Sequence, residues 1–259
     1  MIQPDWWKSY FDQRYLDCYE KDRTERTIEE VGFLVETVPL KTCDRILDLA
    51  CGYGRHSIAF AQRGYKHLTG LDYSRVFLEK AAKDADAAKV KVNFIQGDMR
   101  QLPWKNEFDV VLMMFSAYGY FSDLENRKVL GQVSQVLKPG GKFILDLVTF
   151  EQVLSAFQQH ARRKGEVYRT ESEKYMSGLK IRERKSLNAT LQMECNRRWW
   201  MLEGKRRTRK FFLRFYTEDQ LAEMLSEAGF EISKIYGDFK GNPKSVNNWR
   251  TIILAQKVI

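Results

Sequence analysis

The stretch Leu47-Asp48-Leu49-Ala50-Cys51-Gly52-Tyr53-Gly54-Arg55 decides the fold. With Ile46 in front, it begins as a short apolar run of strand length. The run enters two glycines, where a backbone can approach a ligand closely. A helix pattern follows, through Ile58 and Phe60 to Arg63. The start of such a helix favours negative charge. Strand, glycine turn and helix in this order open a parallel α/β sheet.

Downstream the rhythm repeats. His67–Leu71 reads as a second strand ending at Asp72, 18 residues after Gly54. A helix spans Ser74 to Ala87, and Val92–Ile95 is a third strand ending at Gly97-Asp98. Asp109–Phe115 is nearly all apolar, as expected of a strand buried on both faces. Ser122-Asp-Leu-Glu125 is a capping box opening a helix to Leu137. Lys138-Pro139-Gly140-Gly141 stops that helix, and Phe143–Val148 is a fifth strand. Thr217-Glu-Asp-Gln220 caps a later helix running to Ala228-Gly229, and strands Phe230–Tyr236 and Trp249–Lys257 close the chain. Upstream, Pro4–Tyr19 and Thr24–Thr37 read as amphipathic helices, the second with the stripe Ile28, Val31, Leu34, Val35.

The 259 residues suit one large domain or two small ones. The net charge of +9 is concentrated: Glu151–Phe215 holds 17 Lys and Arg against 7 Asp and Glu, leaving 26 against 27 elsewhere. Within this segment Leu187, Ala189, Leu191, Met193 and Cys195 alternate with polar residues, which predicts a half-buried antiparallel strand. With turns at Ser177-Gly178 and Glu203-Gly204, Glu166–Tyr216 reads as a meander of three or four strands. The expected organisation is a helical cap (1–40), a cofactor core (41–150), a β insertion (151–216) and a C-terminal helix with strands completing the sheet (217–259).

No run approaches the ~18 apolar residues that span a bilayer. The opening Met1–Trp7 lacks a basic or apolar leader, so no secretory signal is expected and the expected location is cytoplasmic. Cys18, Cys43, Cys51 and Cys195 form no metal-ligand pair with each other or with the three histidines, so no metal is expected.

The glycine turn and the acids Asp72 and Asp98 all fall at carboxyl ends of parallel strands, where open α/β sheets bind ligands. Asp72 suits ribose hydroxyls. The nicotinamide-dinucleotide fingerprint needs a third glycine, where Ser57 stands here, and Asp48 is poorly suited to a pyrophosphate. A ligand with an ammonium group and no phosphate fits better, and S-adenosylmethionine is one.

Six ordered pieces then resemble one family, the class I S-adenosylmethionine-dependent methyltransferases of small-molecule type. They are residues 47–57, Gly-Leu-Asp-Tyr-Ser (70–74), Gln-Gly-Asp-Met (96–99), Leu-Pro-Trp (102–104), Phe-Asp-Val-Val (108–111) and Leu-Lys-Pro-Gly-Gly (137–141). The resemblance implies a Rossmann-like doubly wound seven-stranded sheet with its last strand antiparallel. It implies that the Asp48–Gly54 turn, with Ala50, Cys51 and Gly52, holds the methionine moiety. Asp72 would bind the ribose, Tyr73 cover the adenine, and Asp98 and Met99 read the adenine edge. Phe115, Ser116 and Ala117 would line the sulfonium and the substrate entrance. Tyr15, on the N-terminal helices, is a further expected cofactor contact. Ser116, Tyr118, Tyr120, Arg184 and Tyr216 are the substrate-side candidates. Ser116-Ala-Tyr-Gly-Tyr120 departs from the Asn/Asp-Pro-Pro-Tyr of nucleic-acid amino-group methyltransferases.

A sulfonium methyl is already activated, so holding a nucleophile in line supplies much of the rate. Tyr118, Tyr120 and His160 could act as bases, but no catalytic residue is assigned. The expected function is methyl transfer to O or N of a small acceptor, which an anionic group would suit. Alternatives are an RNA methyltransferase docking through the basic insertion, with Trp199, Trp200, Phe211 or Phe212 stacking on bases, and a non-catalytic cofactor-binding homologue. For the insertion itself a substrate lid competes with RNA docking and with a homodimer or solvated face. The lid reading draws its substrate-pairing arginines from Arg182, Arg184, Arg197, Arg198, Arg207 and Arg209. No membrane partner is expected.

Overall fold

The structure, a computed structural model, describes residues 5–176, 178–245 and 248–258. In chain order its elements are α1 (Trp7–Tyr10), α2 (Gln13–Thr24), α3 (Thr27–Thr37), β1 (Arg45–Leu49), α4 (Arg55–Gln62), β2 (His67–Asp72), α5 (Arg75–Ala87), β3 (Asn93–Gln96), β4 (Phe108–Met113), α6 (Asp123–Val136) and β5 (Leu137–Leu147). There follow α7 (Phe150–His160), β6 (Arg162–Lys164), β7 (Val167–Met176), β8 (Leu179–Asn188), β9 (Met193–Leu202), β10 (Lys205–Arg214), α8 (Glu218–Glu227), β11 (Phe230–Tyr236) and β12 (Thr251–Lys257).

The main sheet has seven strands in the order β11-β12-β5-β4-β1-β2-β3. β1 to β5 run parallel, and the last strand, β12, is antiparallel to both of its neighbours. This is the doubly wound sheet expected from the sequence. Its strands are apolar on both sides because both faces are covered. Leu47, Val111 and Leu145 meet Val129, Val133 and Leu225 of α6 and α8 on one face. Ile46, Leu112 and Ile144 meet Val31, Leu34 and Phe60 of α3 and α4 on the other.

The expected caps of α6 and α8 are present. Ser122 Oγ accepts from the Glu125 N–H at 3.3 Å, and Thr217 Oγ1 from that of Gln220 at 3.1 Å. Among the described residues no helix is long and apolar enough to cross a membrane.

Several local expectations are corrected. The N-terminal helix predicted over Pro4–Tyr19 is broken at Phe11-Asp12 into α1 and α2, and Pro4 lies outside the described residues. Ile28, assigned to the buried stripe of α3, is 72% exposed, whereas Thr27 and Glu30 are buried. Beside the apolar Val31, Phe33 and Leu34, the inner face of α3 carries a polar patch because Glu30 receives Arg55 and His56.

β5 takes in Lys138–Gly141, and its register on β4 shifts between Phe108 and Val110. The segment from 151 begins with a helix, α7. Its signal was present as Thr149-x-x-Gln152, where Gln152 Oε1 accepts the Thr149 N–H at 2.8 Å.

β6 to β10 form a second sheet in which each strand pairs antiparallel with the next; four of them, β7 to β10, are the meander expected over Glu166–Tyr216, and β6 adds a short fifth strand ahead of it. The single strand predicted across Leu187–Cys195 is two strands around a turn. Asn188 Oδ1 accepts the Leu191 N–H at 2.9 Å, and Gln192 has φ of +49°. Short-range side-chain bonding of this kind ends a strand whatever its alternation says. The turn at Glu203-Gly204 is observed, both residues having positive φ, while Ser177 lies outside the described residues.

The two sheets are stitched together at Gly119, whose O accepts the Arg214 N–H at 2.9 Å. A Cβ on Gly119 would lie 2.2 Å from the Arg214 carbonyl oxygen, so only glycine allows this approach.

Candidate active site

All of the parallel strands open at one edge of the main sheet, and three acids stand there. Asp48, in β1, is buried and accepts from Ser57 Oγ at 2.7 Å. Burial pushes its carboxyl above the usual range, although His56, Ser57 and Arg55 oppose the shift. Asp72, closing β2, accepts from the main-chain N–H of Gly52 and of Ser74, each at 2.8 Å. Burial pushes its carboxyl up to about 6 against those bonds. Asp98, after β3, is clasped by Arg100 through Nε at 3.0 Å and Nη2 at 2.7 Å. Burial acts upward on it too, but Arg100 outweighs burial and holds Asp98 low.

Gly54 caps α4 in the left-handed region, φ +74°. A Cβ there would meet the Phe94 ring at 2.6 Å. Its glycine is therefore needed for the turn and for packing against β3.

Two adjoining hollows meet at Ala50 and Asp72. One is lined by Asp48, Cys51, Gly52, Tyr53, Arg55, His56, Phe115 and Tyr120, with Phe11, Tyr15 and Phe77 covering it. The other is a narrow slot between Trp7, Tyr73, Asp98, Met99 and Phe121. Trp7 and Tyr73 meet edge to face there, with ring centroids 4.5 Å apart. Thus every expected cofactor contact except Gly54 lines one of these hollows, and Gly54 shapes the turn between them.

A third cavity, of about 310 Å3, adjoins the first through Phe11, Tyr15, Phe115 and Tyr120. Ser116 and Trp6 line it from the core side, and Lys185, Arg198 and Phe211 from the second sheet. A larger hollow at the opposite edge, around Arg45, His67 and Asn93, has none of the three acids in its wall.

The residues between the first and third cavities are held in an unusual backbone. Phe115 and Ser116 have φ of +62° and +58°. Both N–H groups bond to Asp146, at its Oδ2 (2.8 Å) and its main-chain O (2.9 Å). Asp146 is fully buried and pairs with Arg250, whose guanidinium lies 4.9 Å from the centre of the Phe115 ring.

Among the substrate-side candidates, Ser116 and Tyr120 line the third cavity and the others do not. Tyr118 is buried and donates to the Asn126 carbonyl at 3.0 Å. Tyr216 is buried beside it and donates to Asp123 at 2.8 Å. Arg184 lies on the outer face of the second sheet, paired with Glu171 at 2.7 Å. His160 is exposed at the end of α7. Of the aromatics weighed for base stacking, Trp200 is buried and Phe211 packs against Trp6 and Tyr10.

Sequence reasoning missed Arg55, His56, Phe11 and Lys185. Arg55 and His56 follow Gly54 directly, so the helix start itself was the available signal. Glu30 binds both, and although its burial acts upward, His56 and Arg55 hold its carboxyl low.

Comparison with known proteins agrees with this geometry. A family profile described as a methyltransferase domain matches residues 46–141. The uncharacterized methyltransferase YcgJ of Bacillus subtilis (strain 168) is 28% identical over 151 residues, 57% of this chain and 58% of that protein. The chain thus spans little more than half the length of that relative. The CcbJ methyltransferase from Streptomyces caelestis superposes with a TM-score of 0.74 at 18% identity, over 90% of each chain. The SAM-bound CalS10 of Micromonospora echinaspora, an amino pentose methyltransferase, gives 0.60 at 20% identity, over 91% of this chain and 90% of its own.

Residues 46–141 thus match a methyltransferase domain, on a fold shared with solved methyltransferases. The residues present fit S-adenosylmethionine, the molecule bound in the CalS10 structure. A buried acid (Asp48) and a cation (Arg55) share one wall for an ammonium and a carboxylate, a strand-end acid lies between the hollows, and an aromatic slot is set for a base. Among the described residues no cluster of His, Cys, Asp and Glu is arranged to hold a metal ion.

Proposed function

We propose that the protein transfers the methyl group of S-adenosylmethionine in line to an O or N atom of a small acceptor held in the third cavity. The observation that carries this reading is the shared wall. Phe11, Tyr15, Phe115 and Tyr120 line both the cofactor hollow and the cavity beneath the second sheet. An acceptor in the third cavity would therefore lie beside the cofactor hollow, bordered by the same four aromatic rings and by Ser116.

When bound, the cofactor supplies an activated methyl group. The chain's own contribution is positioning, which is worth several kcal/mol once reacting atoms are held at ~3–3.5 Å. In this reading Asp72 receives the ribose hydroxyls, Asp48 and Arg55 orient the methionine end, and Trp7, Tyr73, Asp98 and Met99 enclose the adenine. Tyr15 caps the junction.

No general base is assigned. Burial pushes the Tyr118 hydroxyl up and fixes it as a donor to Asn126. His160 is remote from both cavities. A nucleophile arriving unprotonated needs no base. The CalS10 structure, an amino pentose methyltransferase, supports a small-molecule acceptor rather than RNA.

Calorimetry with S-adenosylmethionine, followed by assay of S-adenosylhomocysteine against a panel of hydroxy and amino acceptors, tests the proposal. Binding with product release supports an enzyme. Binding without product from any acceptor would support the non-catalytic homologue, and absence of binding would remove the reading altogether.

A further inference from the structure

The third cavity is aromatic on most sides and cationic at one end. Trp6, Tyr10, Tyr15, Tyr120 and Phe211 form its walls, and Lys185 and Arg198 enter from β8 and β9. At about 310 Å3 it is roughly twice the ~150 Å3 that accommodates a benzene molecule, so one ring with a substituent fits.

The two cations differ. Arg198 is occupied: its Nε binds Glu183, and its Nη1 donates to Tyr10 at 3.0 Å and to Tyr19. Burial keeps both tyrosine hydroxyls protonated, Tyr19 being pushed up to about 12. The Lys185 side chain makes no ion pair or hydrogen bond among the described residues.

The acids that could serve Lys185 are otherwise engaged. Glu183 receives Arg198, Asn196 at 2.9 Å and Lys174 at 4.0 Å. Glu194 is buried, and burial pushes its carboxyl up despite Lys185 and Arg198 nearby. A lysine that lines an aromatic cavity and makes no direct ion pair has its ammonium available to a ligand's anion.

We propose that the acceptor is a small molecule with an aromatic ring and one anionic group, carboxylate or phosphate, and that Lys185 reads the anion. The inference rests on the methyl-transfer reading above. The ring stacks among Trp6, Tyr10 and Phe211. The nucleophilic end points away from Lys185, toward Phe115, Ser116 and Tyr120, the residues nearest the cofactor hollow.

The test uses the full chain saturated with S-adenosylhomocysteine. It is titrated calorimetrically with 4-hydroxyphenylacetate and with phenyl phosphate, each against a neutral isostere, 4-hydroxyphenylacetamide and phenyl acetate. At least one anion should bind about tenfold or more tightly than its isostere. The arm that shows the preference identifies the carboxylate or the phosphate. Lys185→Met should abolish the preference while leaving neutral binding, and Lys185→Arg should keep it should the methionine variant fail to fold. Arg169→Gln, an exposed position of equal charge on β7, should also keep it.

Equal affinity for anion and isostere, no binding of either anion, or a preference that survives Lys185→Met overturns the inference. With S-adenosylhomocysteine bound, these results leave the methyl-transfer reading intact. Failure of S-adenosylhomocysteine itself to bind would sink that reading and the inference with it.

Discussion

The edge of the main sheet and the inner face of the second sheet use charge differently. At the sheet edge, Asp72 spends its oxygens on the main-chain N–H groups of Gly52 and Ser74, and Asp146 holds the Phe115 N–H as well as Arg250. On the inner face of the meander, charged side chains bind one another: Arg198 with Glu183, and Glu183 with Lys174. In the first region the fold decides where the acid stands, because parallel strands all end on one side. In the second, strand register decides it, since a shift of one residue turns each side chain to the other face. Constant chemistry is thus expected on the rigid edge, and acceptor choice on the face that register can retune.

The harshest test of the first region is Asp146→Asn. It removes the charge that pairs with Arg250 and weakens the anchor holding Phe115 and Ser116 in the left-handed region. Breaking one side of a buried pair costs about 3–5 kcal/mol. Urea unfolding followed by circular dichroism should show a loss of that size. An unchanged midpoint would mean that the wall between the cavities does not depend on Asp146.

The same contrast explains what could be read in the sequence. The glycine turn, Asp72 and Asp98 were legible because strand-helix alternation alone puts them on one edge. The seven-stranded sheet followed from the same rhythm. Tyr118 and Tyr120 were not separable: they flank Gly119, which bonds to Arg214 of the second sheet, and one lies in the core while the other lines the cavity.

In the meander, alternation from Leu187 to Cys195 concealed a turn that Asn188 makes. It also suggested that Met193 and Cys195 would be the inward residues, whereas Glu194 and Asn196 are buried. A polar inner face defeats a hydrophobic-pattern reading, as it did at Glu30 in α3. Both failures lie beside a cavity, where burial follows what the site needs and not what a core needs.

Asp72→Ala probes the rigid edge at lower cost. Loss of charged hydrogen bonds should weaken S-adenosylmethionine binding by roughly 1–3 kcal/mol in calorimetry. Unchanged affinity would remove Asp72 from the ribose role. The wild-type protein offers a pH version of the same test. Because burial raises Asp72 to about 6 in the free protein, it is ionised above that pH and protonated below it. Hydroxyl donors favour the ionised form, so the bound state titrates lower and affinity falls as pH drops through 6. A decrease of about tenfold from pH 7 to pH 5 is expected, and Asp72→Asn should flatten it.

The smallest effect belongs to Arg184→Gln, and it sharpens the contrast within one strand. Arg184 and Lys185 are adjacent in β8, so their side chains leave opposite faces. Arg184 pairs in the open with Glu171, its side chain 45% exposed, while Lys185 enters the cavity. An exposed pair of this kind is worth about 0–1 kcal/mol. Thermal unfolding should therefore move little, and the acceptor KM should stay where it is, although the substitution removes the same unit of charge as Lys185→Met. A rise in acceptor KM for Arg184→Gln matching that for Lys185→Met would mean that the summed field of the basic sheet draws the acceptor. A rise confined to Lys185 ties recognition to one side chain on the inner face.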